Sequence, residues 1–164
     1  MSSGQIDTHL KVDSDLGHLA PKFREAVEAA LVECNTVHGL DAIVYEGYRS
    51  QALQALYYAR GRTVRPPNST VTNAPTNRYS WHGYGLAVDV VHRVKFWNPV
   101  GGNLWFAAVA QVFKRHNCSW GGNWKKPDRP HFQWGLCKPS PSDEARRLLD
   151  TGGVQAVWIA LGAA

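Results

Sequence analysis

Apolar residues recur at helical spacing in several parts of this 164-residue chain. In residues 21–38 they fall three and four positions apart, and most charged residues lie off that face. Pro21 suits the first turn of this helix, and Gly39 suits its end. Similar patterns and start or stop signals predict helices over residues 21–38, 50–60, 103–116, 140–149 and 154–161. Gly152 and Gly153 separate the last two helices.

Short runs of β-branched and aromatic residues alternate with these helices. Residues 42–48 and 86–91 each have the composition of a strand, and residues 119–134 fit a strand, a loop and a second strand. Residues 62–79 form a long polar loop, and loops of this length inside compact domains are often functional. The order of these elements predicts an α+β fold with a small, mainly antiparallel sheet flanked by helices.

Length and composition indicate a single globular domain of 18.2 kDa. Hydrophobic residues make up 44% of the chain and charged residues 19%, which excludes a disordered or fibrous protein. No apolar run reaches the roughly 18 residues needed to span a bilayer. The first seven residues lack a basic region followed by an apolar stretch, so we expect no secretory signal. We expect one domain over residues 1–164, with its core at about 21–138 and a helical tail at 140–164.

Charge is distributed unevenly along the chain, which has a net charge of +5. Residues 49–138 hold thirteen of the 18 Lys and Arg residues but only two of the 13 acids. This basic segment indicates an anionic partner, although a solvated surface would give the same count. Its two carboxylates, Asp89 and Asp128, are candidates for a specific role, and the alternative is an ordinary ion pair with a nearby Arg.

The three cysteines do not suggest a metal site of their own. Cys34, Cys118 and Cys137 form no Cys-x-x-Cys pair, so a zinc–thiolate site is not indicated. At most one disulfide could form among them. We expect reduced thiols that behave as small hydrophobic side chains.

The segment from Ser80 to Asp89 carries the clearest sign of chemistry. His82 lies at the end of the polar loop, Asp89 follows seven residues later, and the glycine-rich turn between them lets both side chains converge. Nitrogen and oxygen ligands suit Zn²⁺, and a catalytic zinc site usually takes three protein ligands. His131 is the best candidate for the third ligand, and Asp128 is then placed to act as a general base.

Three motifs together resemble a known family. They are Y-R-S at residues 48–50, S-x-H-x-x-G-x-A-x-D at residues 80–89 and D-x-P-H at residues 128–131. Their order and approximate spacing are similar to those of the zinc peptidases of the D-alanyl-D-alanine carboxypeptidase and L-alanyl-D-glutamate endopeptidase family. The resemblance covers about residues 21–134, and the helical tail is similar to that of phage endolysins in this family.

The resemblance also implies roles for individual residues. It implies zinc coordination by His82, Asp89 and His131, an acid/base role for Asp128, and substrate binding with oxyanion stabilisation for Arg49. The family more often has Glu at the position of Asp128. Further residues expected near the metal or the substrate are Ser80, Tyr48 and Trp81. Of the tryptophans beside the motifs, Trp81, Trp120 and Trp124 either wall the groove or fill the core.

The resemblance implies a Hedgehog/D,D-peptidase-like fold with a zinc site on the sheet. We expect a monomeric phage endolysin that cuts the L-Ala–D-Glu bond of peptidoglycan, without a nucleic-acid partner or stable membrane insertion. It would be made in the host cytoplasm and act on the cell wall after release. One alternative is a D-Ala-D-Ala carboxypeptidase or dipeptidase of the same family. Another is a non-catalytic basic module that binds the wall, which leaves the three motifs unexplained.

Overall fold

Four helices and four strands make up the part of the chain that the computed structural model describes, residues 9–64 and 69–164. The helices are α1 (Pro21–Thr36), α2 (Gln51–Ala59), α3 (Asn103–Arg115) and α4 (Asp143–Ala160). The strands are β1 (Ala42–Glu46), β2 (Ala87–His92), β3 (Cys118–Trp120) and β4 (His131–Trp134). The predicted helices and strands are confirmed to within a few residues at their ends, and the last two predicted helices form the two segments of α4. Arg65, Pro66, Pro67 and Asn68 of the predicted polar loop lie outside the described residues.

The sheet is antiparallel throughout, with the strand order β1-β2-β4-β3. Its register sets Glu46 of β1 opposite Asp89 of β2, and Asp89 opposite His131 of β4. Side chains that face each other across antiparallel strands lie about 4.5–5.5 Å apart at Cβ. The register alone therefore brings two of the predicted metal ligands together, and the predicted α+β fold with an antiparallel sheet is confirmed.

A hydrophobic core joins the sheet to α1 and α3. Phe23 of α1 and Phe113 of α3 are fully buried, and the Phe113 ring lies 4.5 Å from the ring of Phe132 in β4. Val88 and Val90 of β2 belong to the same core. Because side chains alternate along a strand, the residue between these two valines, Asp89, points to the other face of the sheet. The functional site lies on that face.

The C-terminal helix has a kink where the sequence predicts a break. Gly153 has a φ of 71°, a left-handed conformation that favours glycine and divides α4 into two segments. Ser142 caps the first segment by accepting a hydrogen bond from the Ala145 amide, 3.1 Å away. The Trp158 indole fixes the second segment by donating to the Tyr84 carbonyl, 2.7 Å away. None of the helices in the described ranges is long and apolar enough to cross a membrane.

All three thiols, those of Cys34, Cys118 and Cys137, are free. Burial raises the pKa of Cys34 and of Cys118 to about 12. Both side chains therefore stay protonated at neutral pH and pack as small apolar groups in the core.

Replacing Leu86, which directly precedes β2, should destabilise the fold strongly. Leu86 is fully buried, so Leu86→Ala would leave a cavity and should lower the free energy of unfolding by roughly 2–5 kcal/mol. Leu104→Ala is the matched control, because Leu104 is 79% exposed and its loss should cost less than about 0.5 kcal/mol. Urea unfolding followed by circular dichroism measures both changes. Equal effects of the two variants would contradict the described core.

Candidate metal centre and active site

Three side chains on the open face of the sheet form a compact cluster of potential metal ligands. His82, Asp89 and His131 each offer one ligand atom, and these atoms lie within 4.8 Å of one another. His82 Nε2 is 3.4 Å from Asp89 Oδ1, and His131 Nδ1 is 3.8 Å from the same oxygen. The structure therefore brings together the three residues that the motifs indicate.

A glycine-dependent turn sets His82 beside the sheet. Residues Trp81–Tyr84 form a short 3-10 helix, and Gly85 ends it with a φ of 68°. A Cβ atom at Gly85 would lie 2.8 Å from the carbonyl oxygen of His18. Both the backbone conformation and the close approach therefore require glycine at this position, between the motif histidine and the strand that carries Asp89.

Hydrogen bonds fix the orientation and the tautomer of both histidines. His82 Nδ1 lies 2.8 Å from the carbonyl oxygen of Gly47, which can only accept, so Nδ1 carries the proton and Nε2 is free for a metal. His131 Nε2 lies 2.8 Å from Gln133 Oε1, and the Gln133 amide donates to the Lys138 carbonyl. His131 therefore donates through Nε2 and turns its unprotonated Nδ1 towards Asp89.

The charge states in this cluster also suit a metal ion. Burial opposes ionisation of Asp89, but His82 and His131 outweigh it and lower its pKa to about 2. Burial lowers the pKa of His131 to about 4. At neutral pH the cluster therefore contains an ionised carboxylate and a neutral imidazole, the forms that bind metals. Asp89 Oδ1 is buried and accepts no hydrogen bond of normal geometry from any described residue, and a cation would satisfy it.

Asp128 lies at the edge of this cluster. Its Oδ2 is 4.0 Å from His131 Nδ1, and about half of its side chain, 52%, is exposed. Partial burial of the carboxyl group and the charge of Asp89 raise the pKa of Asp128 to about 6. The backbone of Asp128 lies against Gly121, whose carbonyl accepts a hydrogen bond from the Asp128 amide. A Cβ atom at Gly121 would lie 2.6 Å from the Asp128 carbonyl oxygen, so this close approach requires glycine. A carboxylate with this position and pKa can exchange protons with water.

Arg49 is held rigidly in the wall of the same cavity. Its side chain donates through Nε to Glu46 Oε1 at 3.0 Å and through Nη1 to Gln54 Oε1 at 2.9 Å. Glu46 is 1% exposed and also accepts a hydrogen bond from the Tyr57 hydroxyl. The Arg49 amide donates to the His82 carbonyl, which ties the arginine to a candidate metal ligand. Sequence reasoning missed Glu46 and Gln54, although Glu46 is the only charge in the β1 sequence.

The cluster opens into a cavity of about 630 Å³. Ser80 and Trp81 line it, as does Trp124, whose ring lies 4.9 Å from the His131 ring. Trp120 does not line the cavity, and its indole donates to the Arg129 carbonyl instead. Tyr48 lines a separate cavity of about 460 Å³ beside Tyr84 and Trp158. The structure thus brings Ser80 and Trp81 together with the three candidate metal ligands, and it places Tyr48 apart from them.

Comparison with known proteins assigns the chain to a family. The model of the D-alanyl-D-alanine carboxypeptidase family matches residues 74–134, the span that holds His82, Asp89, Asp128 and His131. The peptidoglycan L-alanyl-D-glutamate endopeptidase CwlK of Bacillus subtilis (strain 168) is 32% identical over 135 residues, which are 76% of this chain and 76% of CwlK. The chain belongs to the D-alanyl-D-alanine carboxypeptidase family.

Solved structures agree with this family assignment. The L-Ala D-Glu endopeptidase ChiX of Serratia marcescens has a TM-score of 0.52 and 26% identity, covering 73% of this chain and 83% of ChiX. The LD-carboxypeptidase LdcB has a TM-score of 0.54, covers 93% of this chain and 74% of LdcB, and at 12% identity supports the fold alone. Peptidases of the D-alanyl-D-alanine carboxypeptidase family depend on zinc, and the His/Asp/His cluster provides ligands that fit this metal.

Removing one histidine ligand should abolish stoichiometric zinc binding. We expect His131→Ala to retain well under one zinc per chain after dialysis, because two ligands hold the ion far more weakly than three. His38→Ala is the matched control, since His38 is partly exposed beside Glu33 and does not line the cavity. Plasma mass spectrometry of the folded proteins measures the metal content. Full zinc occupancy of His131→Ala would contradict the ligand assignment.

The hydrogen bond from His131 to Gln133 should strengthen metal binding. Gln133→Leu removes the acceptor that fixes the imidazole, and such outer partners typically contribute about 10–100-fold to metal affinity. Gln111→Leu makes the same change at an exposed position of α3 and should leave the affinity unchanged. Competition with a chromogenic chelator measures both zinc affinities. An unchanged affinity of Gln133→Leu would show that the hydrogen bond does not orient the ligand.

Proposed function

We propose that this protein is a zinc-dependent endopeptidase that hydrolyses the L-Ala–D-Glu bond of the peptidoglycan stem peptide. The observation that carries the proposal is the buried oxygen of Asp89, which lies between two oriented histidines and beside Asp128 in an open cavity. The choice of bond is supported by two relatives, CwlK and ChiX, which are both named as L-Ala–D-Glu endopeptidases.

The residues around the metal site can carry out both proton transfers that amide hydrolysis needs. When bound to His82, Asp89 and His131, zinc would supply Lewis-acid polarisation and lower the pKa of water. Asp128 takes a proton from water as the new carbon–oxygen bond forms at the scissile carbonyl. It then gives this proton to the leaving amine of D-Glu as the carbon–nitrogen bond breaks. Its raised pKa, about 6, suits a group that must both accept and donate near neutral pH.

Arg49 supplies a fixed positive charge in the same cavity. Glu46 and Gln54 hold its guanidinium in place, so the charge needs little reorganisation when negative charge develops on the carbonyl oxygen. The planar guanidinium also lies over the Tyr57 ring, 4.6 Å from its centroid. We assign to Arg49 the binding of the substrate carbonyl and the stabilisation of its oxyanion.

The biological role forms a second part of the proposal. We propose that the protein is made in a phage-infected host, reaches the wall after release, and acts there as a monomeric endolysin. The basic charge of residues 49–138 supports attraction to an anionic wall. Suspended bacterial cells, with any outer membrane permeabilised, test this role, since added protein should clear the suspension within minutes. If the suspension stays turbid while purified peptidoglycan is cleaved, the peptidase proposal survives and the lytic role fails.

Product analysis tests the bond that is cut. Purified peptidoglycan treated with the zinc-loaded protein should release peptides that begin with D-Glu, identified by mass spectrometry after labelling of new amino groups. Released free D-alanine would instead identify the D-Ala-D-Ala carboxypeptidase activity of the same family. If neither product forms, the peptidase proposal is wrong.

Replacing Asp128 should remove activity without removing the metal. Asp128→Asn cannot accept the proton, so kcat should fall roughly 10²–10⁴-fold while zinc content stays at one per chain. Asp143→Asn is the matched control, because the Asp143 side chain is fully exposed in the first turn of α4. The rate of D-Glu amino-terminus formation measures both. A fully active Asp128→Asn variant would exclude this carboxylate as the base.

A further inference from the structure

A β-bulge directs Tyr45 into the catalytic cavity. Val44 faces Val90 and Glu46 faces Asp89, so β1 carries one extra residue, Tyr45, at this point of its pairing with β2. Consecutive residues of a regular strand point to opposite faces. Here both Tyr45 and Glu46 line the cavity, and the bulge accounts for this because such insertions re-aim side chains, often beside active sites.

The loop that follows β2 presents Trp97 to the same cavity. Its first turn is closed by paired backbone hydrogen bonds between His92 and Phe96, and His92 Nδ1 accepts from the amides of Val94 and Lys95. Phe96 has a φ of 51°, a costly conformation for a bulky residue that persists only where the surroundings impose it. The backbone just before Trp97 is therefore held firmly in one conformation.

Tyr45 and Trp97 form an aromatic wall, which we name the Tyr45–Trp97 pair. The ring centroids lie 4.8 Å apart with an interplanar angle of 69°. Trp97 remains 44% exposed although it lines the cavity, so much of its indole surface is free for a ligand. Tyr45 directly precedes Glu46, the residue that faces Asp89 across the sheet, and Tyr45, Trp97 and Asp89 all line the same cavity.

We propose that the Tyr45–Trp97 pair binds the muramyl sugar ring that carries the stem peptide. This inference rests on the proposed function, because it takes peptidoglycan as the substrate. The stem peptide offers methyl groups, carboxylates, amides and amines, but no large apolar side chain. The flat C–H face of a pyranose ring is the part of peptidoglycan that complements an exposed aromatic surface.

The position of the cleaved bond makes this contact geometrically reasonable. L-Ala is the first residue after the lactyl group of the sugar, so a single residue, about 3.5 Å of extended chain, separates that group from the L-Ala–D-Glu bond. A substrate with its first peptide bond at the metal would therefore hold its sugar inside the same cavity. If a terminal D-Ala-D-Ala bond were at the metal instead, the sugar would lie several residues farther from it.

Paired substrates test the proposal. One is N-acetylmuramoyl-tripeptide beginning L-Ala–D-Glu, and the other is the same tripeptide without the sugar. Trp97→Ala should lower kcat/KM on the sugar-bearing substrate roughly three- to tenfold, mainly through KM, as expected for loss of one aromatic contact. Trp97→Ala should cleave the sugar-free peptide with a kcat/KM within about twofold of the wild-type value. Trp97→Phe should recover most of the loss, and Leu104→Ala, an exposed apolar change outside the cavity, should have no effect.

Two outcomes overturn the sugar contact. Trp97→Ala could reduce cleavage of both substrates equally, which would make Trp97 structural or peptide-binding, or it could reduce neither. The proposed function fails in a different way, because wild-type protein would then release no D-Glu-terminated peptide from either substrate.

Direct binding provides a readout that does not depend on activity. The disaccharide N-acetylglucosaminyl-N-acetylmuramic acid should shift the Trp97 indole resonance of the wild-type protein in NMR spectra at millimolar concentration. The resonance is assigned as the one that Trp97→Ala removes. Absence of any shift at this signal, with or without shifts elsewhere, would refute the proposal even if the peptidase is active.

Discussion

The site depends on one electrostatic constraint, the burial of an ionised carboxylate that lacks hydrogen-bond donors. Moving Asp89 out of water costs free energy, and its Oδ1 atom receives no compensating hydrogen bond of normal geometry from the described residues. His82 and His131 donate their ring N–H groups to the Gly47 carbonyl and the Gln133 side-chain oxygen, so their unprotonated nitrogens face Asp89 and give it no hydrogen bond. Asp89 is nevertheless ionised at neutral pH, because its pKa is about 2. Such an arrangement costs stability unless a cation completes it, so a metal-binding role accounts for its construction.

The register of the sheet determines which side chains surround Asp89. Glu46, Asp89 and His131 form one row across β1, β2 and β4, in direct register. Glu46 anchors Arg49, while Asp89 and His131 are potential metal ligands, so one row of the sheet positions the metal site and the positive charge together. The core valines on either side of Asp89 keep the strand in this register, because a shift by one residue would turn the carboxylate into the core.

Sequence patterns could predict the helices, the strands and the candidate ligands, but not the residues that orient those ligands. The helices follow from local periodicity, and His82, Asp89 and His131 follow from motifs that span short stretches of chain. Gln133 could have been found, since it lies two residues from His131 on the same strand face. The orientation of Tyr45 and Glu46 towards the same cavity could not have been predicted from the sequence. It arises from a β-bulge that only the pairing of β1 with β2 defines. Tyr48 lies beside another cavity for a similar reason, since the path of the chain after β1 is set by tertiary contacts.

Ion pairs in the folded protein partly offset the uneven distribution of charge along the chain. Arginines of the basic middle segment pair with acids of the flanking segments, as in Arg93–Asp41, Arg115–Glu33 and Arg78–Asp150. These pairs neutralise three of the thirteen positive charges of that segment. Lys125 and Lys126 are exposed just before Asp128, and no acid within the described ranges lies at ion-pair distance from either. Because unpaired charges contribute most to the field of a protein, these two lysines keep the loop that carries Asp128 positively charged.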